Sequence, residues 1–104
     1  MATGVLIVQS QPSSPGQLAD YEDWYDRKHI PEMLAIDGFV SARRMQLLDG
    51  ETFVVIYEID IDVEIAKANL AAKQASGTMS KPVGVCLDPP PTVQYFREVS
   101  TVTG

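Results

Sequence analysis

Apolar and polar positions change period several times along this chain, and the changes mark out its elements. Residues 3 to 9, TGVLIVQ, form an apolar run rich in β-branched side chains, the composition of a buried strand. The turn-rich SQPSSPG bounds it. Ser14-Pro15-Gly16-Gln17 then combines a capping serine, a proline at the first helical position and a glutamine three residues after the cap, which predicts a helix from about Pro15. At about 100° per residue, Leu18, Tyr21, Glu22, Tyr25 and His29 share one core-facing stripe, with Asp20, Asp23, Asp26 and Arg27 on the other side. Pro31 withholds the N–H that would bond the Arg27 carbonyl and disfavours helical geometry at Ile30, so the helix is expected to kink or end near His29. A short turn from Pro31 to Ile36 follows, closed by Asp37-Gly38.

Two strand-like segments, FVSARRMQLL at 39 to 48 and ETFVVIYEI at 51 to 59, flank Asp49-Gly50, a dipeptide suited to a two-residue hairpin turn with positive φ at both central positions. Asp62 is placed to cap a helix over roughly Val63 to Ser76, with Ile65, Ala68, Ala72 and Ala75 as a small-residue face and Gly77 as its stop. The proline-punctuated MSKPVGVCLDPPP reads as a loop, and TVQYFREV, 92 to 99, alternates like a last strand. The order β-α-β-β-α-β predicts one α+β domain over 1–104, a ferredoxin-like unit whose two helices cover one face of a four-stranded antiparallel sheet. The other face is left bare. Strands this apolar would expose a hydrophobic patch there, which predicts a homodimer packed sheet to sheet around a central space.

Composition narrows the partners. With 14 acidic against 8 basic residues the net charge is −6, which argues against nucleic acid or an anionic membrane surface as partner. No leader pattern and no apolar stretch of membrane-spanning length is found, so a cytoplasmic protein is expected. Cys86 is the sole cysteine. It has no disulfide partner within the chain and no second histidine to activate it, and neither a metal-ligand set nor a phosphate loop is present, so no cofactor is expected.

The chemistry then falls to a few side chains. His29, the sole histidine, titrates near neutral pH and is aimed inward beside Tyr25, which suits general acid-base work. Equally, an inward histidine at a helix end can simply bond a loose backbone carbonyl, and a tyrosine on an apolar stripe can be core. A two-residue hairpin turn pairs Arg44 with Val55 and Ala42 with Tyr57. One face then carries Val40, Ala42, Arg44, Gln46, Phe53, Val55, Tyr57 and Ile59, and the other Phe39, Ser41, Arg43, Met45, Leu47, Val54, Ile56 and Glu58. The face with Arg44, Gln46 and Tyr57 is expected to point away from the helices, where mixed polar and apolar groups would line a ligand cavity. A one-residue slip would put Arg43 there instead.

The segment DWYDRKHIPEMLAIDGFVSARR, residues 23 to 44, resembles the EthD-like branch of the dimeric α+β barrel superfamily. Trp24-Tyr25, His29-Ile30-Pro31, Gly38-Phe39 and Ala42-Arg43-Arg44 carry the resemblance. It implies a homodimer with sheets packed into a barrel, and a superfamily that includes muconolactone-type isomerases, polyketide cyclases and cofactor-free monooxygenases. On that basis the expected function is a cofactor-independent lyase, isomerase or cyclase acting on a small aromatic or unsaturated acid. His29 would be the general acid-base, Tyr25 would assist, and Arg44 with Tyr57 would hold the anionic or carbonyl end of the substrate. A cofactor-free monooxygenase, a non-catalytic small-molecule carrier and a barrel filled by its own side chains are the rival expectations.

Overall fold

A computed structural model describes residues 2–104. Four antiparallel strands form its sheet: β1 (Gly4–Ser10), β2 (Phe39–Gln46), β3 (Phe53–Ile59) and β4 (Thr92–Arg97), in spatial order β2-β3-β1-β4. Between β1 and β2 the chain runs through a 3₁₀ turn (Pro15–Gln17), helix α1 (Leu18–Trp24), a π-helical turn (Tyr25–His29) and helix α2 (Ile30–Leu34). Helix α3 (Val63–Ala75) joins β3 to β4. The α+β, ferredoxin-like architecture is therefore the one the order of apolar periods predicts. Its core comprises Leu6, Val55, Tyr57 and Ile59 from the sheet with Tyr21, Tyr25, Met33 and Ala66 from the helices.

Several local expectations are corrected. Ser14 makes no side-chain cap bond, and Pro15–Gln17 is a 3₁₀ turn in which the Gln17 N–H reaches the Ser14 carbonyl at 3.0 Å. The capping box is therefore not formed. Beyond His29 the helix neither ends nor loses helical geometry at Ile30, whose φ is −61° and ψ −47°. Instead the Ile30 N–H bonds the Tyr25 carbonyl, an i→i+5 bond. The wider turn moves the carbonyl ladder off the pyrrolidine ring, and Pro31 falls in the first turn of α2, where a missing N–H costs little. Burial of Met33 and Ile36 holds the continued helix against the core.

Asp62 does cap α3, its Oδ1 accepting from the N–H groups of Glu64 at 2.9 Å and Ile65 at 3.2 Å. The packed face of that helix, however, is Val63, Ala66 and Leu70, while Ile65 is exposed and Ala68, Ala72 and Ala75 face solvent. The i, i+3, i+7 set wins because it carries the larger apolar side chains onto the sheet. Replacing Asp62 with alanine is expected to cost about 1 kcal/mol. By thermal denaturation that is a fall of about 4–8 °C in Tm for a domain of this size.

The β2–β3 pairing is the expected one, with Ala42 opposite Tyr57, Arg44 opposite Val55 and Gln46 opposite Phe53. Its turn is different. Among the described residues only glycines take positive φ, so Asp49 does not adopt the two-residue hairpin conformation. Gly50 donates to the Leu47 carbonyl, and the Asp49 carboxylate accepts from the N–H groups of Glu51 and Thr52. The longer loop keeps the register because it is closed by a Leu47–Thr52 pair in phase with the predicted one. A bulge between Phe39 and Ser41 puts Phe39, 2% exposed, on the same face as Arg44 and Tyr57 in place of Val40, which is left outside.

The face carrying Arg44, Gln46 and Tyr57 points toward the helices, contrary to the expectation. Tyr57, Val55 and Ile59 are buried beneath them, and Arg44 reaches Asp26 on the π turn. The reason is volume: Phe53, Val55, Tyr57 and Ile59 are the larger apolar set and fill the helix–sheet layer. The bare face displays Val5, Ile7, Val54 and Ile56, all half-buried, with Met45 and Phe96 exposed.

Candidate active site

The sequence-predicted residues Tyr25, His29, Arg44 and Tyr57 are brought to one region between the α1–π turn and the sheet. Tyr25 lies at its centre. Its hydroxyl is 3.0 Å from Ser10 Oγ, which is also 2.6 Å from the Tyr21 hydroxyl. Three O–H groups share these two bonds, so one hydroxyl proton in the Tyr21–Ser10–Tyr25 row remains free to be donated elsewhere. Burial raises the proton affinity of both phenols despite the bonds from Ser10, so the row consists of neutral donors.

Tyr57 is fully buried, and its hydroxyl has no hydrogen-bond partner. Burial is also what drives its ionisation far above the ordinary range, followed by the nearby Tyr25, with Arg44 opposing. A buried, unpaired hydroxyl forfeits a stabilisation of order 1–3 kcal/mol, so a group kept in that state is a candidate for ligand contact.

His29 Nδ1 is the second buried polar atom without a partner. The reading in which the ring bonds a loose backbone carbonyl through Nδ1 is thus not what the structure shows. The imidazole stacks on Trp24, ring centroids 4.4 Å apart and planes 13° from parallel, and meets Tyr25 edge-on at 5.7 Å. Residues five apart point well away from each other on an α-helix, about 140° at 100° per residue. The π turn superimposes them. Burial lowers the proton affinity of His29, and Glu32 partly restores it. At neutral pH the ring is therefore an uncharged proton acceptor.

Arg44 is not a free fork. Its guanidinium pairs with the Glu22 carboxylate and, through Nε at 2.8 Å, with Asp26, leaving one net negative charge on the trio. It lies 6.0 Å from the Tyr25 ring centroid and 5.9 Å from that of Phe53. The hairpin register is the expected one, yet Arg43 and not Arg44 sits on the exposed face away from the helices, because the sheet is covered on the opposite side from the one expected.

Three groups were missed by sequence reasoning. Trp24, which lies off the predicted stripe, is 5% exposed and forms the shelf for His29. Ser10 is the last residue of β1, with no motif to mark it. Ser80 joins Glu32 and Trp24 in a hydrogen-bonded set that spans 56 residues of sequence. Only tertiary packing reveals it.

Cavities of about 450 Å³, lined by Pro12, Leu18, Glu51 and Phe53 among others, and about 190 Å³, lined by Ser10, Thr52 and Thr92 among others, lie at the hairpin end of the sheet. Ser10 of the tyrosine row lines the smaller opening, and Phe53, whose ring meets that of Tyr21 at 5.4 Å, lines the larger. Among the described residues no acidic, histidine or cysteine cluster suited to a metal ion is found, and no helix is long and apolar enough to cross a membrane.

Neither a protein-family model nor a curated protein matches the sequence. Among solved structures, the chain is similar to a monooxygenase from the gene ActVA-Orf6 of Streptomyces coelicolor in complex with nanaomycin D. The TM-score is 0.60 at 15% sequence identity, covering 99% of this chain and 93% of that one. The likeness shows the fold alone, the α+β ferredoxin-like one described above.

Proposed function

We propose that this chain is a cofactor-independent enzyme that oxygenates a small phenolic compound, with the substrate held between the α1–π turn and the sheet. Two buried polar atoms without partners near Tyr25, His29 Nδ1 and the Tyr57 hydroxyl, carry this reading. His29 takes the phenol proton. The Tyr57 hydroxyl and the free proton of the Tyr21–Ser10–Tyr25 row stabilise the phenolate oxygen, as an oxyanion hole would. Arg44, tied to its carboxylates behind the Tyr25 and Phe53 rings, supports those rings and is not free to act as a substrate fork. The electron-rich phenolate then reacts with O₂: one ring C–H and the phenol O–H become two carbonyls, and the two hydrogens leave with the second oxygen atom as water. The balance needs no external reductant. Similarity to a monooxygenase supports oxygenation over the other chemistries, and the residues of the EthD-like resemblance at 23 to 44 support membership of that branch. The bare sheet face, with Ile7, Ile56 and Phe96, is proposed as a homodimer contact.

Oxygen uptake with a panel of phenols and naphthols tests the reaction. One O₂ consumed per quinone formed is expected, with one atom of ¹⁸O₂ in the product. Product formed equally without oxygen would replace this reading with proton-transfer isomerisation or cyclisation, for which the same uncharged His29 is suited. Binding without any product, with and without oxygen, would leave a carrier.

A further inference from the structure

Ser80 joins two groups that flank the imidazole. Its Oγ donates to Glu32 Oε1 at 2.7 Å and its N–H reaches both Glu32 oxygens, at 3.2 and 3.0 Å. The same Oγ accepts from Trp24 Nε1 at 3.1 Å. Glu32 follows His29 by three residues, the spacing at which side chains on one helical face meet, and Trp24 is the surface on which the ring lies.

The loop bearing Ser80 is also fixed farther along. At Gly84 an added Cβ would fall 2.9 Å from the Tyr21 backbone nitrogen, and the Gly84 carbonyl accepts from the Ser13 N–H at 2.8 Å. The loop is therefore strapped along the α1–π turn at two points, and Ser80 is the one that touches the histidine's neighbours.

We propose that Ser80 is a positioning residue for His29: by engaging Glu32 three times and Trp24 once, it keeps the carboxylate off the imidazole and the indole flat beneath it. The bonds from Ser80 are also the main influence holding the Glu32 carboxyl below its ordinary range, so this carboxylate is ionised and would charge the imidazole if it turned toward it. With Ser80 in place, Nδ1 stays unpartnered and the ring uncharged. Releasing Ser80 frees Glu32 to pair with His29, and the ring becomes a cation that can no longer accept a proton. Docking of the loop thereby sets whether the site holds a base. The other titratable group against the ring is Tyr25, edge-on and neutral, and Lys73 of α3 also attracts Glu32.

The proposal rests on His29 being the proton acceptor of the site, but its test needs no turnover. NMR titration of the single imidazole in the full-length chain reads it directly. Ser80→Ala is expected to raise the His29 pKa by about one unit, and Ser80→Thr, which keeps the hydroxyl, to restore the wild-type value. Adding Glu32→Gln to Ser80→Ala is expected to abolish the rise. Should the alanine variant fail to fold, Ser80→Cys, similar in size and a weaker donor, is expected to give an intermediate rise. An unmoved or lowered pKa in Ser80→Ala, or in Ser80→Cys where that variant stands in for it, as would follow if Lys73 captured the freed carboxylate, overturns the proposal, and so does a rise that persists without the Glu32 carboxylate. Loss of activity in a His29 variant alongside an unmoved pKa in Ser80→Ala would retain the base and reject the clamp.

Discussion

Replacing His29 with glutamine is expected to lower turnover by about 10²–10⁴-fold, the range over which a positioned general base acts, while the chain remains folded. Glutamine keeps a polar, hydrogen-bonding end of similar reach but cannot take a proton. The pH dependence separates this from mere disturbance. Burial lowers the proton affinity of His29 below its ordinary value near 6.5, with Glu32 opposing, so the acid limb of kcat/KM is expected below about 6.5. Activity is full above that limb and is lost as pH falls through the lowered value. In His29→Gln the limb should vanish. Stability carries the same sign: between the lowered folded value and about 6.5 the unfolded chain binds the extra proton, so stability rises with pH across that window and falls as the solution is acidified. Denaturant midpoints across the window should therefore drop more in the wild type than in His29→Gln. Unchanged turnover in the variant would remove the imidazole from the mechanism.

Tyr57→Phe is expected to move stability and activity in opposite directions. The lost hydroxyl is buried without a partner, and phenylalanine fills the same space, so the variant should be more stable by about 1 kcal/mol. In a domain of this length that is a rise of about 4–8 °C in Tm. Turnover should fall by about 10²–10³-fold, the effect of removing one preorganised donor from a developing oxyanion. Calorimetry and initial rates on the same preparation test both. A stabilised variant with undiminished turnover would show the hydroxyl to be an unused burden, and a destabilised one would show that it has a partner in solution.

The fold was legible in the sequence because its signals are local and repeated. The apolar run at 3 to 9, the Asp62 cap and the alternation of Phe53 to Ile59 each specify an element by themselves, and strand order follows from connectivity. Register was legible through Asp49-Gly50, although the turn closes differently, because pairing depends on the sum of opposed positions rather than on the φ of the turn. What the sequence does not display is which side of the sheet the helices choose. Arg44 and Gln46 made the correct face look wet, whereas the bulk of Phe53, Val55 and Tyr57 decided it. Likewise His29 and Tyr25 were legible from helical phase up to the π turn. The turn then altered that phase, so Trp24 came under the imidazole instead of beside the stripe. Glu32 was legible as a charge three residues from His29, but its bonds to Ser80 were not, and Ser10 and Ser80 act through contacts between distant segments that no spacing rule announces.

The face-to-face arrangement of Trp24 and His29 gives the molecule a built-in optical readout. Each is the only residue of its type in the chain, so indole fluorescence comes from a single emitter lying against a single titrating ring. A charged imidazole in that position withdraws electron density from the excited indole and dims it. The brightness of the unlabelled protein against pH thus traces the occupancy of one proton, and a ligand that seats beside the ring announces itself in the same signal.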